Sequence, residues 1–300
     1  MANDYASLPV VFLEYAVDGA PWSRIGRFWA AHGYGSVSLP VIMVDSGNQI
    51  THGYGDFYNV YKAMVDTALA RPPQADITAT WQRVGDKVRF DVRLTNLSLV
   101  TLASSSNLAA VHAIVYEDTH VADTDRFVRA AVFSDITSSL APGATASFVL
   151  ETADLSEVNW DKLHFIVLAD YCPGGTSGAY DMLQAAVAVP LFTVQPDEMT
   201  FMVDPADPLH QSAVVALQGP ESGNWAATTN TGWLTITPSS GSMATHPTIS
   251  VITNTLSAGW QQGYITFTLA SGGGLALADQ VLVNAYYGSV KRVYLPIVLR

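Results

Sequence analysis

The residues able to do chemistry are scattered along this sequence, and their spacing forms no catalytic arrangement. Cys172 is the single cysteine, so the chain holds neither a Cys-x-x-Cys redox pair nor a metal site built from several cysteines. The seven histidines include no His-x-x-x-His pair of the kind that binds zinc on one helix face. Ser240 stands in a Ser-Ser-Gly turn, whereas a hydrolase serine stands in a Gly-x-Ser-x-Gly turn between strand and helix. We therefore expect no catalytic residue, no cofactor and no metal, and we interpret Cys172 as structural.

The densest group of carboxylates lies in residues 117–125. Oxygen ligands on a loop suit Ca²⁺, but this stretch has neither the glycine at the turn nor the closing glutamate of an EF-hand loop. We expect a solvated loop tip between two strands.

Composition excludes several classes of protein. Hydrophobic residues make up 49% of the 300 residues and charged residues only 13%, which excludes a disordered chain. The net charge of −12 argues against a nucleic-acid partner and against docking on anionic lipid. The apolar runs are shorter than the roughly 20 residues that a membrane span needs. A globular, acidic chain of this length predicts two or three domains.

The chain changes its pattern at two points. Residues 1–73 alternate strand and helix and end at Pro72 and Pro73, which stop a helix. The predicted strands are residues 8–15, 40–44 and 49–54, and the predicted helices are residues 22–32 and 57–70.

Two β-rich regions follow. Residues 76–190 contain about seven short strands with Gly, Pro, Ser and Asn turns, the pattern of an immunoglobulin-like β-sandwich. Residues 193–288 predict a second small sandwich, and residues 289–300 form a short apolar tail. We expect Trp225 and Trp233 in the core of the second sandwich.

Residues 1–73 resemble the later part of the thioredoxin fold. The resemblance rests on the buried strand at residues 10–15, Leu39-Pro40 before the strand at 41–44, the hairpin through Gly47 and the helix ending near Leu69. It implies a cis peptide bond at Pro40, where the family's proline faces the active-site disulfide. The strand and helix that carry the family's Cys-x-x-Cys pair do not precede residue 10. We therefore interpret residues 1–73 as a partial thioredoxin-like α/β unit, either degenerate or a fragment of a longer precursor.

Residues 193–288 resemble the BACON family of bacterial immunoglobulin-like modules. The matching residues are the Trp-Leu-Thr-Ile-Thr-Pro-Ser-Ser-Gly run at 233–241 and the Gly-Tyr-Ile-Thr-Phe strand at 263–267. The resemblance implies carbohydrate binding or a spacer role and offers no catalytic residue. Trp260 follows Gly259 in a predicted turn, so Trp260 is the first candidate for an exposed ligand contact, with Tyr264 beside it.

The sequence thus predicts a multidomain, mainly β protein, a partial thioredoxin-like unit followed by two immunoglobulin-like sandwiches. Our leading hypothesis is a non-catalytic exported protein, extracellular or on the cell surface, that binds a glycan or another cell-surface protein or acts as a spacer. The alternative is an inactive fragment of a secreted thiol–disulfide oxidoreductase whose redox cysteines lie upstream. A third possibility is that residues 1–73 pair with another chain through open sheet edges.

Overall fold

The computed structural model describes residues 2–15, 25–33, 35–36, 38–53, 55, 57–121, 124–155, 157–206, 212–220, 223–270 and 276–289. Strands dominate these residues, so the protein is mainly β, as predicted. The chain divides into two units, Met1–Val189 and Pro190–Arg300. The predicted regions 1–73 and 76–190, apart from Pro190, therefore belong to one unit. Of the predicted apolar tail, only Ser289 is among the described residues. Among the helices described here, none is long and apolar enough to cross a membrane.

The first unit begins with short elements and continues with long strands. Its helices are α1 (Ile25–His32), α2 (Phe57–Leu69) and α3 (Ser104–Asn107), with 3-10 turns at Ala2–Tyr5, Asp45–Gly47 and Trp160–Lys162. Its strands are β1 (Val41–Val44), β2 (Gln49–His52), β3 (Ala75–Val84), β4 (Lys87–Asn96), β5 (Ala110–Val121), β6 (Thr124–Asp135), β7 (Thr145–Glu151), β8 (Leu163–Tyr171), β9 (Asp181–Val187) and β10 (Val189–Pro190).

Two four-stranded sheets form a β-sandwich in this unit, with strand orders β10-β3-β4-β7 and β6-β5-β8-β9. Alternate residues of β4 point into the core, which follows from the period of two along a strand. The buried apolar residues of β4 are those predicted from the sequence: Val88, Phe90, Val92 and Leu94. The arrangement fits an immunoglobulin-like sandwich.

The strand predicted over residues 8–15 is wrong. Residues 11–13 form no strand, and only Glu14 makes an isolated parallel bridge, to Phe127 of β6. Leu13 and Tyr15 instead pack on the outer face of the β6-β5-β8-β9 sheet, against a cluster that includes Ile114 and Ile166. The segment is apolar because it covers the sandwich, and a buried strand has the same composition. The predicted helix over residues 22–32 is described from Ile25.

Residues 41–69 are close to prediction. Strands β1 and β2 pair antiparallel through the turn at Gly47, and α2 follows. The peptide bond between Leu39 and Pro40 is cis. Because β1 and β2 form only a two-stranded sheet, they depend on packing against other elements for stability.

The loop after β4 is held in place by the buried Asn96. Its amide Nδ2 donates to the carbonyl oxygens of Val100 (2.8 Å) and Leu140 (2.9 Å), and its Oδ1 accepts from the backbone N–H and hydroxyl of Ser98. The same loop presents Leu99 to solvent, with 96% of the residue exposed. Internal hydrogen bonds, not apolar burial, therefore fix this loop.

We expect Asn96→Ala to lower the stability of the first unit by about 2–3 kcal/mol, because it removes the amide's hydrogen bonds to Val100 and Leu140 and leaves the N–H of the buried Ser98 without its acceptor. Denaturant unfolding of the full chain, with hydrogen exchange of peptides from β3 and β4, measures the loss. The matched control is Leu99→Ser in the same loop, which should change stability by less than about 0.5 kcal/mol. Equal effects of the two variants would contradict this account of the loop.

The second unit is a smaller β-sandwich. Its strands are β11 (Thr193–Gln195), β12 (Glu198–Val203), β13 (Ser212–Val214), β14 (Ala216–Gln218), β15 (Asn224–Thr229), β16 (Leu234–Thr237), β17 (Ser240–Ser242), β18 (Thr248–Val251), β19 (Gly259–Ala270) and β20 (Ala276–Tyr287), with a 3-10 turn at Thr253–Thr255. The sheets have the orders β12-β20-β19-β15-β17, β13-β18-β16 and β11-β14.

Large apolar side chains fill the core of this unit. Trp225 and Trp233 are both buried in it, as predicted, together with Phe267 and Ile265 of β19. The long hairpin of β19 and β20 pairs antiparallel over twelve residue pairs, so its outer face is a regular surface on which side chains of neighbouring strands lie side by side.

Candidate ligand-binding face

The outer face of the β12-β20-β19 part of the five-stranded sheet carries exposed aromatic and amide side chains. Along β19, Gly263, Ile265 and Phe267 are buried, whereas Trp260, Gln262 and Tyr264 are exposed to different degrees on the opposite face. We call this surface the aromatic–amide face. It consists of Trp260, Gln262 and Tyr264 of β19, Leu282, Asn284 and Tyr286 of β20, and Glu198, Thr200 and Met202 of β12.

The first row across the strands is apolar. Trp260 stands opposite Tyr286, which in turn stands opposite Met202. Trp260 is 63% exposed, and its ring lies 5.4 Å from that of Tyr286 at an angle of 57°. An indole this exposed on a regular sheet offers its face to a ligand, and the tyrosine beside it restricts the directions in which it can turn.

The middle row is polar and ordered by hydrogen bonds. Gln262 stands opposite Asn284, and its Nε2 donates to Asn284 Oδ1 over 3.1 Å. Asn284 Nδ2 donates to Glu198 Oε1 over 2.6 Å. These bonds fix which end of each amide is donor and which is acceptor, so the row presents defined polar groups between the two aromatic rows.

The third row brings Tyr264 opposite Leu282, with Glu198 as the partner of Leu282 on β12. Tyr264 is 39% exposed. Its backbone N–H donates to Asn230 Oδ1 (2.7 Å), and its carbonyl accepts from the Asn230 N–H (3.1 Å). Trp260 and Tyr264 are four residues apart on one strand, which separates their backbones by about 13 Å.

Gly263 of β19 lies so close to the core that no larger residue fits at this position. A β-carbon at this position would meet Thr231 Cγ2 at 2.9 Å and both Leu234 Cδ1 and Trp233 Cζ2 at 3.0 Å. Gly263 thus lets β19 pass close over the core and keeps Gln262 and Tyr264 on the outer face.

A second cluster of charged groups lies in the first unit. The Asp170 carboxylate is fully buried and accepts from Arg27 Nη1 (2.7 Å), and its other oxygen lies 3.0 Å from His112 Nε2. Burial opposes the charged carboxylate, but His112 and Arg27 outweigh it and hold the pKa of Asp170 well below its usual range. Arg27 also donates to the Ser46 carbonyl and stacks on Tyr180, 4.0 Å from the ring centre.

This cluster fastens the first region to the sandwich. Arg27 belongs to α1, whereas Asp170 belongs to β8 and His112 to β5. A second arginine acts in parallel, since Arg71 pairs with both Asp45 and Asp181. Because Arg27 connects α1 to β8 and Arg71 connects the turn at Asp45 to β9, we assign the cluster a structural role.

The remaining predicted groups fall into structural positions. Cys172 is buried, and its thiol donates to the Ser177 carbonyl over 2.9 Å. The expectation of a solvated loop at residues 117–125 is wrong in part. Glu117 lies buried within β5 and pairs with Arg129 at 2.6 Å. Its second oxygen accepts from the Asn159 N–H. The described residues contain no group of three or more side chains placed to hold a metal ion.

The predicted site residues lie in different units. Pro40 is in the first unit, and Trp260 and Tyr264 share one face of the second unit. The sequence did not point to Gln262, Asn284, Glu198 or Met202. The Trp-Gln-Gln-Gly-Tyr run of β19 contained a signal, because alternation along a strand places its first, third and fifth residues on one face.

No protein-family model and no curated protein matches the chain. Weak likenesses exist among solved structures. A transglutaminase from red sea bream is 11% identical over 81% of this chain and 37% of its own, with a TM-score of 0.22. A β-glucosidase from Kluyveromyces marxianus is 11% identical over 38% of this chain and 15% of its own, with a TM-score of 0.21. An α-2-macroglobulin from Escherichia coli is 10% identical over 71% of this chain and 18% of its own, with a TM-score of 0.24.

The chain thus spans well under half the length of each of these proteins.

Proposed function

We propose that the protein is a non-catalytic, exported binding protein that contacts a glycan through the aromatic–amide face of its second unit. The observation that carries the proposal is the exposed Trp260, paired with Tyr286 and followed on the same face by the hydrogen-bonded amides of Gln262 and Asn284. Sugars present C–H groups on their ring faces and hydroxyl groups at their edges. Aromatic rings and oriented amides match these two surfaces.

The proposal treats the second unit as a BACON-like module and the first region as a partial thioredoxin-like unit. Export and an extracellular or cell-surface location belong to the proposal and rest on the resemblance to exported bacterial modules. Two other roles compete with glycan binding. The same face could bind another cell-surface protein, or the protein could be a spacer whose face binds no ligand.

The test compares glycan binding by the full chain and by two variants, using affinity electrophoresis in gels that contain soluble polysaccharides. We expect Trp260→Ala to weaken binding by at least about tenfold, which is about 1.4 kcal/mol, because it removes the stacking surface. The control is Val214→Ala on β13, which removes an exposed apolar side chain from a different sheet. A full chain that binds no polysaccharide, or equal binding by both variants and the parent, would refute the proposal.

The alternative function is that of a portion of a secreted thiol–disulfide oxidoreductase. The order helix, strand, strand, helix over α1, β1, β2 and α2 favours it. In that case the natural protein carries a Cys-x-x-Cys segment that this sequence lacks. The N-terminal sequence of the protein isolated from its source cell tests this alternative: an upstream Cys-x-x-Cys supports it, and a start at Met1 contradicts it.

A further inference from the structure

We infer that the ligand of the aromatic–amide face is an uncharged, extended glycan chain that lies along β19, with one sugar on Trp260 and another on Tyr264. The inference rests on the proposed function and narrows it to a class of ligand. It makes two separate claims, one about the charge of the glycan and one about its length.

The charge claim comes from the distribution of basic residues. The segment 190–289 contains no lysine and no arginine; the basic residues of the second unit, Lys291, Arg292 and Arg300, lie outside the residues that the structure describes. It contains six carboxylates: Asp197, Glu198, Asp204, Asp207, Glu221 and Asp279. Carboxylated and sulfated sugars are bound in proteins by Arg and Lys, which supply charge-assisted hydrogen bonds. The described part of the second unit offers such a sugar no arginine or lysine, and the one charged side chain on the face itself, Glu198, repels it.

For a cationic sugar the face offers a single point of attraction, the Glu198 carboxylate. Glu198 is the only charged side chain of the face, and its Oε1 already accepts from Asn284 Nδ2 over 2.6 Å. The other polar groups of the face are amides and the hydroxyl groups of Thr200, Tyr264 and Tyr286, and these bind neutral hydroxyl groups as both donors and acceptors. A glycan with hydroxyl groups and no charge can therefore form hydrogen bonds with most of the polar groups of the face.

The length claim comes from the geometry of β19. Trp260 and Tyr264 are separated by about 13 Å along the strand, and Gln262 lies between them. One sugar ring on Trp260 does not reach Tyr264. An extended chain that covers both rings also passes the amide row, so the second contact adds to the affinity without a second association step.

The experiment is isothermal titration of the full chain with β-1,4-linked glucan, mannan and xylan oligosaccharides of two to six sugars. The glucan and mannan series are also used after oxidation of C6 to the carboxylate, and a β-1,4-linked glucosamine series supplies the cationic sugar. We expect at least one neutral hexasaccharide to bind at least about tenfold tighter than its disaccharide. We expect its carboxylated form to lose at least about tenfold in affinity.

Three variants connect these results to the face. Tyr264→Ala should reduce the advantage of the hexasaccharide over the disaccharide, because it removes the second stacking position. Trp260→Ala should weaken all lengths. Glu198→Gln should narrow the difference between the neutral chain and its carboxylated form, because it removes the nearest negative charge and keeps the shape of the side chain.

The outcomes separate the inference from the function on which it rests. Equal or tighter binding of a carboxylated or glucosamine chain would overturn the charge claim, and disaccharides that bind as tightly as hexasaccharides would overturn the length claim. Either result leaves the proposed glycan binding intact if Trp260→Ala still weakens it. Failure of every probe to bind, or binding that is unchanged by Trp260→Ala, would overturn the proposed function itself.

Discussion

Replacing Asp170 with asparagine should lower the stability of the first unit by about 3–5 kcal/mol. The substitution keeps the volume of the side chain but removes the buried negative charge that faces Arg27 and His112. The Arg27 side chain, which projects from α1, is itself largely buried and contacts Ser46 and Tyr180. A cation left in such a place without its partner retains the cost of desolvation and loses the attraction that offset it.

The measurement is denaturant unfolding of the full chain, with hydrogen exchange of peptides from α1, β5 and β8 to localise the effect. The matched control is Asp86→Asn, which breaks the exposed ion pair between Asp86 and Arg83. Exposed pairs contribute less than about 1 kcal/mol, so the control should change little. A loss at Asp170 no larger than that at Asp86 would contradict the role of the cluster.

The same carboxylate predicts a dependence of stability on pH. The pKa of Asp170 in the folded protein lies below its value in the unfolded chain, which is about 3.9. Its contribution is therefore fully present above that pH and is lost as the pH falls below it, because the unfolded state then binds a proton that the folded state refuses. Asp45 acts in the opposite direction, since burial raises its pKa. The Asp170→Asn variant should lose part of the steepness of acid unfolding between about pH 4 and 2.

Composition and alternation along strands were enough to predict the β-rich architecture. The buried set of β4 and the contrast between the buried Trp225 and the exposed Trp260 were predictable, because each depends on local pattern. The interpretation of residues 8–15 failed for a related reason. A continuous apolar stretch has the same composition whether it forms a buried strand or packs on the face of a sheet. Here Leu13 and Tyr15 pack on the outer face of the sandwich.

The candidate site depended on contacts that no local pattern contains. Strand β12 pairs parallel with β20 and brings Met202 next to Tyr286, 84 residues further along the chain. The hairpin then places Tyr286 against Trp260. Trp260 and Tyr264 could be named from the sequence, but Trp260 was expected in a turn after Gly259 and instead lies within β19. The partners that complete the face required the order of the strands, which is set by the packing of the whole unit.

The buried cluster of the first unit was invisible for the same reason. Arg27 and Asp170 are 143 residues apart, and they meet because α1 packs on the outer face of the sheet that contains β8. In the sequence, each residue is an ordinary charge in an ordinary element. Only the tertiary structure shows that the carboxylate is desolvated and paired.

Trp225 and Trp260 allow one substitution to separate folding from binding in the second unit. Trp225 is 2% exposed, its ring packs against Phe267, and its Nε1 donates to the Ser242 carbonyl over 2.9 Å. We expect Trp225→Ala to lower the stability of this unit by about 3–5 kcal/mol, because it leaves a large cavity and removes the hydrogen bond from the indole. Trp260→Ala should change stability by less than about 0.5 kcal/mol and should weaken glycan binding.

Urea unfolding and hydrogen exchange of peptides from β15 and β19 measure the stability of both variants, and glycan titration measures their binding. At urea concentrations where Trp225→Ala remains folded, its affinity should equal that of the parent, because Trp225 faces the core and not the aromatic–amide face. A Trp260→Ala variant as unstable as Trp225→Ala would show that Trp260 supports the sheet, and the assignment of Trp260 to a ligand would then fail. Loss of binding with stability retained would place the recognition of the ligand on the outer face of β19.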